Sequence, residues 1–127
     1  MRKKQYLIII LLLLVLAQCR KDEITNPAYA IGTVFGYEPG GMETTRKINY
    51  TFYVNGKQYD NEYPNRAGGK KWKIPAGNYN QGDQYMVQYN IGDPSCMTCS
   101  RMLFGYKVSD SADYKSYVNQ FKTNPPQ

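Results

Sequence analysis

Two cysteines three positions apart, Cys96 and Cys99, lie in the stretch DPSCMTCSR at residues 93–101. A CxxC pair can be a redox dithiol, half of a metal site, or a disulfide clamping a turn. A reactive dithiol draws its low thiol pKa from a helix N-terminus, yet the residues after Ser100 alternate like a strand. A structural zinc site wants four ligands, and a chain without histidine would have to complete the set with carboxylates. The reading that asks least is a local disulfide, worth about 2 kcal/mol of chain entropy for so short a loop. Thiol-linked function and metal binding are its alternatives.

The absence of histidine removes Ser-His-Asp and Cys-His catalysis and the commonest metal ligand. Carboxylates are the next candidates, and Asp60, Glu62, Asp83 and Asp93 could in principle form a pair or hold calcium. None falls in a spaced ligand loop such as DxDxDG, so solvated turn residues are the reading adopted. No catalytic residue, metal or cofactor is assigned. A basic cluster, Arg66, Lys70, Lys71 and Lys73, flanks Trp72 and could meet an anionic glycan or headgroup by charge and stacking. The same residues also make an ordinary strand edge protected by lysines.

The N-terminus reads MRKKQYLIIILLLLVLAQCRKDE. Arg2, Lys3 and Lys4 precede an apolar run from Tyr6 to Ala17. A spanning helix needs about 20 apolar residues, so this shorter run fits a signal sequence better. Leu16-Ala-Gln-Cys19 resembles a bacterial lipobox, in which the cysteine takes a diacylglycerol and the new N-terminus a further acyl chain such as palmitate. Two chains make a stable anchor at about 0.8 kcal/mol per buried CH₂. Gln18 departs from the small residue usual before that cysteine. Lys21-Asp22-Glu23 is similar to the lipoprotein export signal of Bacteroidota, which implies an outer-membrane, cell-surface address and otherwise a periplasmic face. Asp110-Ser111-Ala112 resembles the O-glycosylation motif of the same bacteria, making Ser111 the candidate acceptor; it reads equally as a helix cap. The division expected is a signal over 1–18, a tether over 19–27 and a domain over 28–127.

Removing residues 1–18 takes away three of sixteen basic residues and leaves 109 residues with net charge +3. That is one small domain, and the charge is a weak argument for nucleic acid. Twelve tyrosines remain, against four phenylalanines and Trp72. Tyrosine suits a half-buried pleated surface, ring inward and hydroxyl wet.

The element pattern agrees. A first strand is expected near Tyr29 to Tyr37. Ile48, Tyr50, Phe52 and Val54 then alternate, Asn55-Gly56 supplies the positive φ angles of a type I′ turn, and Lys57 to Tyr63 returns. Lys71 to Ile74 is a candidate edge strand. Tyr85, Val87, Tyr89 and Ile91 alternate next, and after the cysteine turn so do Met102, Phe104, Tyr106 and Val108. Tyr114, Tyr117, Val118 and Phe121 fall at helical spacing behind a cap at Ser109, Asp110 or Ser111, giving a short helix over about 111–122. The fold expected is mainly β (α+β): a small antiparallel meander or barrel-like sheet of about five to six strands with a C-terminal helix.

GTV, YTFYVNGKQY, GDQYMVQYN, the DP turn and SRML, spread over residues 31–108, resemble short Bacteroidota proteins and lipoproteins to which no activity is attached. That resemblance implies a small β-rich fold and leaves the two cysteines unexplained. Together these features point to a membrane-anchored lipoprotein working as a non-enzymatic envelope or surface module. It would meet an envelope protein or a glycan and no nucleic acid. The rivals are a thiol-disulfide oxidoreductase using Cys96 and Cys99, and an immunity-type lipoprotein that neutralises a toxin.

Overall fold

The computed structural model describes residues 3–10, 24–38, 47–64 and 73–127. Five strands form one sheet: β1 (Pro27–Glu38), β2 (Lys47–Val54), β3 (Lys57–Tyr63), β4 (Gln84–Asn90) and β5 (Arg101–Lys107). Their order is β3-β2-β1-β4-β5, and every neighbouring pair is antiparallel. A helix, α1 (Ser111–Thr123), closes the chain. The mainly β sheet with a C-terminal helix is the fold class expected, with five strands. Among the described residues no helix is long and apolar enough to cross a membrane.

The β2–β3 hairpin forms where its turn chemistry requires. Asn55 and Gly56 have φ of 52° and 79°, the left-handed pair that lets strand twist run through a two-residue turn. Central β1 is longer than expected because both its edges are paired, to β2 and to β4.

Period-two alternation gives the sheet two apolar faces. On one lie Ala30 and Val34 of β1, Ile48, Tyr50 and Phe52 of β2, Tyr63 of β3, Tyr85, Val87 and Tyr89 of β4, and Met102 of β5. Gly32 sits in this layer because a Cβ there would strike the Val87 side chain. Tyr79, from the segment before β4, fills the same core, its hydroxyl donating to the Pro75 carbonyl at 2.7 Å. On the other face Met86, Leu103 and Val108 meet Phe121 of α1, with Tyr29, Ile31, Tyr106, Tyr114, Tyr117 and Val118 around them.

The helix begins with a reciprocal cap. The Asp110 carboxylate accepts from the Asp113 amide at 2.9 Å, and Asp113 accepts from the Ser109 amide at 2.8 Å. Its apolar positions are those read from the spacing.

Three details differ from the sequence expectation. Lys73 and Ile74 form no strand, and Ile74 instead packs against the core from a loop; residues 71 and 72 lie outside the described residues. Ile91 is not part of β4 and is 58% exposed, because the strand ends at Asn90 in a turn. In β5, Phe104 faces the first core but Tyr106, and Val108 just beyond the strand, face the helix. The cause is a register break: Tyr85 pairs with Lys107 while Met86 pairs with Leu103, so residues 104–106 have no partners in β4 and the alternation resets.

Candidate functional site

The sheet curls until its two edges meet. Tyr63 of β3 packs edge-on against Phe104 of β5, with ring centroids 4.9 Å apart. Beside them Asn61, 5% exposed, reaches from β3 to the start of β5. Its Nδ2 donates to the Ser100 Oγ at 2.7 Å and to the Met97 carbonyl at 3.0 Å, and its Oδ1 accepts from the Glu62 amide at 2.8 Å. Side chains, not a backbone ladder, therefore bridge β3 and β5.

The cysteine turn is the other half of this seam. Asp93 accepts from the Ser95 hydroxyl at 2.7 Å, and the Cys96 amide donates to the Asp93 carbonyl at 3.3 Å. A single 3-10 turn, Met97–Cys99, follows, and the Cys96 and Cys99 sulfurs lie at disulfide distance. Cys99 is 1% exposed, whereas Cys96 is half-buried at the rim. Between this turn and β3 is a cleft of about 220 Å³, lined by Gln58, Asp60, Asn61, Ser95, Met97 and Ser100 among others.

Beneath the cleft lies Tyr50, fully buried. Its hydroxyl has no hydrogen-bond partner within bonding geometry, though Asn61 and Ser100 stand beside it. Burial pushes its pKa up to about 12, partly offset by those two neighbours. Burial raises the Tyr63 hydroxyl too, with Arg101 opposing. Such phenols hold their protons at neutral pH and are poor bases or nucleophiles there. Arg101 lies on the helix side of β5, its guanidinium donating to Gln88 Oε1 at 2.8 Å and to the Pro126 carbonyl at 2.9 Å. Burial lowers its pKa, with Tyr63 first among the groups that oppose this.

The four carboxylates singled out from the sequence are dispersed, each engaged locally. Asp60 accepts from the Thr51 hydroxyl at 2.5 Å and from Gln58 Nε2 at 3.0 Å, and these bonds hold its pKa below the ordinary value. Glu62 pairs with Lys47 at 3.0 Å, and that partner raises the lysine pKa. Asp83 faces Lys107 at 3.8 Å and caps the Asn80 amide, while Asp93 braces its own turn. Among the described residues no three of His, Cys, Asp and Glu converge.

A second concavity of about 510 Å³ opens on the helix side, beside Tyr114 of α1. Tyr29 and Thr33 of β1, Tyr53 and Asn55 of the hairpin, and Gln84 of β4 contribute to its walls. Several of these polar ends are already used: Tyr114 donates to the Tyr29 carbonyl, Tyr53 to Gln58 Oε1, and Gln84 to the Thr33 hydroxyl.

Of the other candidates, Ser111 is exposed at the first turn of α1 and Lys73 is exposed before Ile74. Cys19, Lys21, Asp22, Glu23, Arg66, Lys70, Lys71 and Trp72 lie outside the described residues. Asn61 was missed by sequence reasoning. It had a signal, since Tyr59, Asn61 and Tyr63 occupy one face of β3 and a polar residue between two inward tyrosines needs a buried partner. No protein-family model, curated protein or solved structure matches the chain.

Proposed function

We propose that this chain is a lipid-anchored protein of the bacterial envelope, whose small β domain acts by binding and not by catalysis. One observation carries the reading. Residues 3–10 are helical, and Tyr6, Leu7, Ile8, Ile9 and Ile10 are each between 54% and 70% exposed, outside both cores of the domain. Five consecutive large apolar side chains left out of a core need an apolar environment other than the protein. The basic residues before them and Cys19 after the run supply a signal sequence with an acylation point.

The domain supports a binding role by its chemistry. Its convergent buried groups are tyrosines, amides and one arginine, all set to hold structure at neutral pH. The asymmetry of a rim-exposed Cys96 and a buried Cys99 favours the oxidoreductase reading, because an incoming thiolate could reach only Cys96. Against it, the intervening turn is a strut of the β3–β5 seam through Asn61. A redox cycle would then work on a turn whose bonds to Asn61 already serve the fold.

The test is expression of the full chain and of Cys19→Ala with labelled palmitate. The proposal expects label and membrane retention for the native chain and an unlabelled, uncleaved precursor for the variant. Equal processing of both would overturn the anchor. Turnover of a dithiol substrate by the purified protein, lost in Cys96→Ser, would overturn the non-enzymatic assignment.

A further inference from the structure

We infer that the end of the sheet carrying Ile91 and Met97 faces the bilayer and rests its apolar tip in the headgroup layer. The inference builds on the lipid-anchor reading above. It commits to the lipid surface that the chain's own anchor would enter.

The tether is short. Among the described residues, the first hydrogen bonds tying the segment before β1 to the domain are at Thr25 and Asn26, whose amides donate to Asn90 Oδ1 at 2.9 and 3.2 Å. The Asn26 carbonyl then accepts from the Ile91 amide at 3.0 Å. From Cys19 to Thr25 the extended chain spans only about 20 Å. β1 itself, at twelve residues, extends about 40 Å from that point. The anchor therefore keeps the β1 start within about 20 Å of the lipid, whereas the Glu38 end, about 40 Å along the strand, is not tied to it.

Antiparallel pairing gathers two connections at that near end. Pro27 pairs with Asn90, Val54 with Lys57, and Gln88 with Arg101. The Asn55-Gly56 turn and the whole segment 91–100 thus lie at the same end as the tether. The segment presents Ile91, 58% exposed, and Met97, 53% exposed. The cysteine pair and the Asp93 bonds hold it in a fixed shape. Beside exposed Asp93 and Ser95, which suit the polar headgroup layer, these two apolar side chains lower their free energy by leaving water for the interface. The connections between β1 and β2 and between β3 and β4 leave from the opposite end, at Glu38 and Tyr63. That end then points outward to whatever the protein meets.

The experiment uses the full acylated chain in phosphatidylethanolamine–phosphatidylglycerol vesicles, with Trp72 replaced by Phe to silence the native indole. Single tryptophans are placed by Ile91→Trp at the tip and Phe35→Trp on the exposed flank of β1, both solvent-facing positions that leave the cores untouched. Lipids brominated high on the acyl chains quench an indole they contact. Intact mass first establishes that each variant carries its acyl groups, so loss of the anchor reads as absent acylation and not as absent quenching. With acylation present, loss of most of the Ile91→Trp emission and little of the Phe35→Trp emission is the expected result. Quenching of Phe35→Trp alone would show the domain lying on its side, and quenching of neither would show the tip held in water; each overturns the inference. A readout free of these tryptophan substitutions uses peroxide on the otherwise native acylated chain. Met97 should oxidise more slowly on vesicles than in the same protein lacking residues 1–19, with buried Met86 and Met102 as internal references. Equal Met97 rates in the two would count against the tip contact.

Discussion

Asn61 crosses the seam with one largely buried amide that donates to both Ser100 Oγ and the Met97 carbonyl. Asn61→Ala would leave buried acceptors without that donor, and we expect a loss of about 1–3 kcal/mol, read as a lower urea midpoint with an unchanged slope. Tyr50 makes the opposite case. Its hydroxyl is buried without a partner in bonding geometry, so Tyr50→Phe should be neutral or stabilising; a loss above about 1 kcal/mol would show that Asn61 or Ser100 does bond it. The pH dependence has a definite sign. Burial pushes the hydroxyl from its ordinary 10.0 up to about 12, so the folded state holds the proton more tightly. This contribution is complete below the first value and is lost as pH rises through the second, by up to about 3 kcal/mol. Urea midpoints measured across that window should fall for the native chain and fall less for Tyr50→Phe. Asn61 and Tyr50 were only partly legible in the sequence. Alternation placed Tyr50 inside, but no local pattern says that β3 curls round to meet β5, and that curl is what buries Asn61.

At the scale of elements, what could be read was what local chemistry decides. The Asn-Gly turn fixed the hairpin register, and the spacing of Tyr114, Tyr117, Val118 and Phe121 gave the helix and its buried face. β5 could not be read fully, because a strict period of two has no way to show three unpaired residues that turn Tyr106 and Val108 toward the helix. Ile74 was misplaced because a short apolar stretch reads alike as strand or as a loop residue dipping into a core. The helix offers two checks. Asp110→Ala removes the cap and should cost about 1 kcal/mol, whereas Phe121→Ala, which empties contacts with Tyr29 and Tyr106, should cost about 3–5 kcal/mol. Thermal melts of the two variants, compared with the native domain, give that order directly. Reduction of the Cys96–Cys99 pair should cost about 2 kcal/mol by chain entropy and leave the sheet's circular dichroism in place. Collapse of the sheet on reduction would mean that the seam depends on the disulfide more than on Asn61.

For the whole molecule, the lipid-anchor proposal gives the first residues the task of addressing the chain and the rest that of folding. The segment before β1 joins the sheet at Asn90, through the Thr25 and Asn26 amides. The proposed binding role would fall to a domain built on tyrosine cores with locally engaged carboxylates. Its placement at the membrane is the claim on which the functional reading depends. The measurement that tests it most directly is the intact mass of the protein extracted from its native membrane, taken before and after reduction. The account predicts a mass fitting cleavage before Cys19 plus acyl chains, rising by the mass of two hydrogens when Cys96 and Cys99 are reduced. An uncleaved or unacylated mass would contradict it.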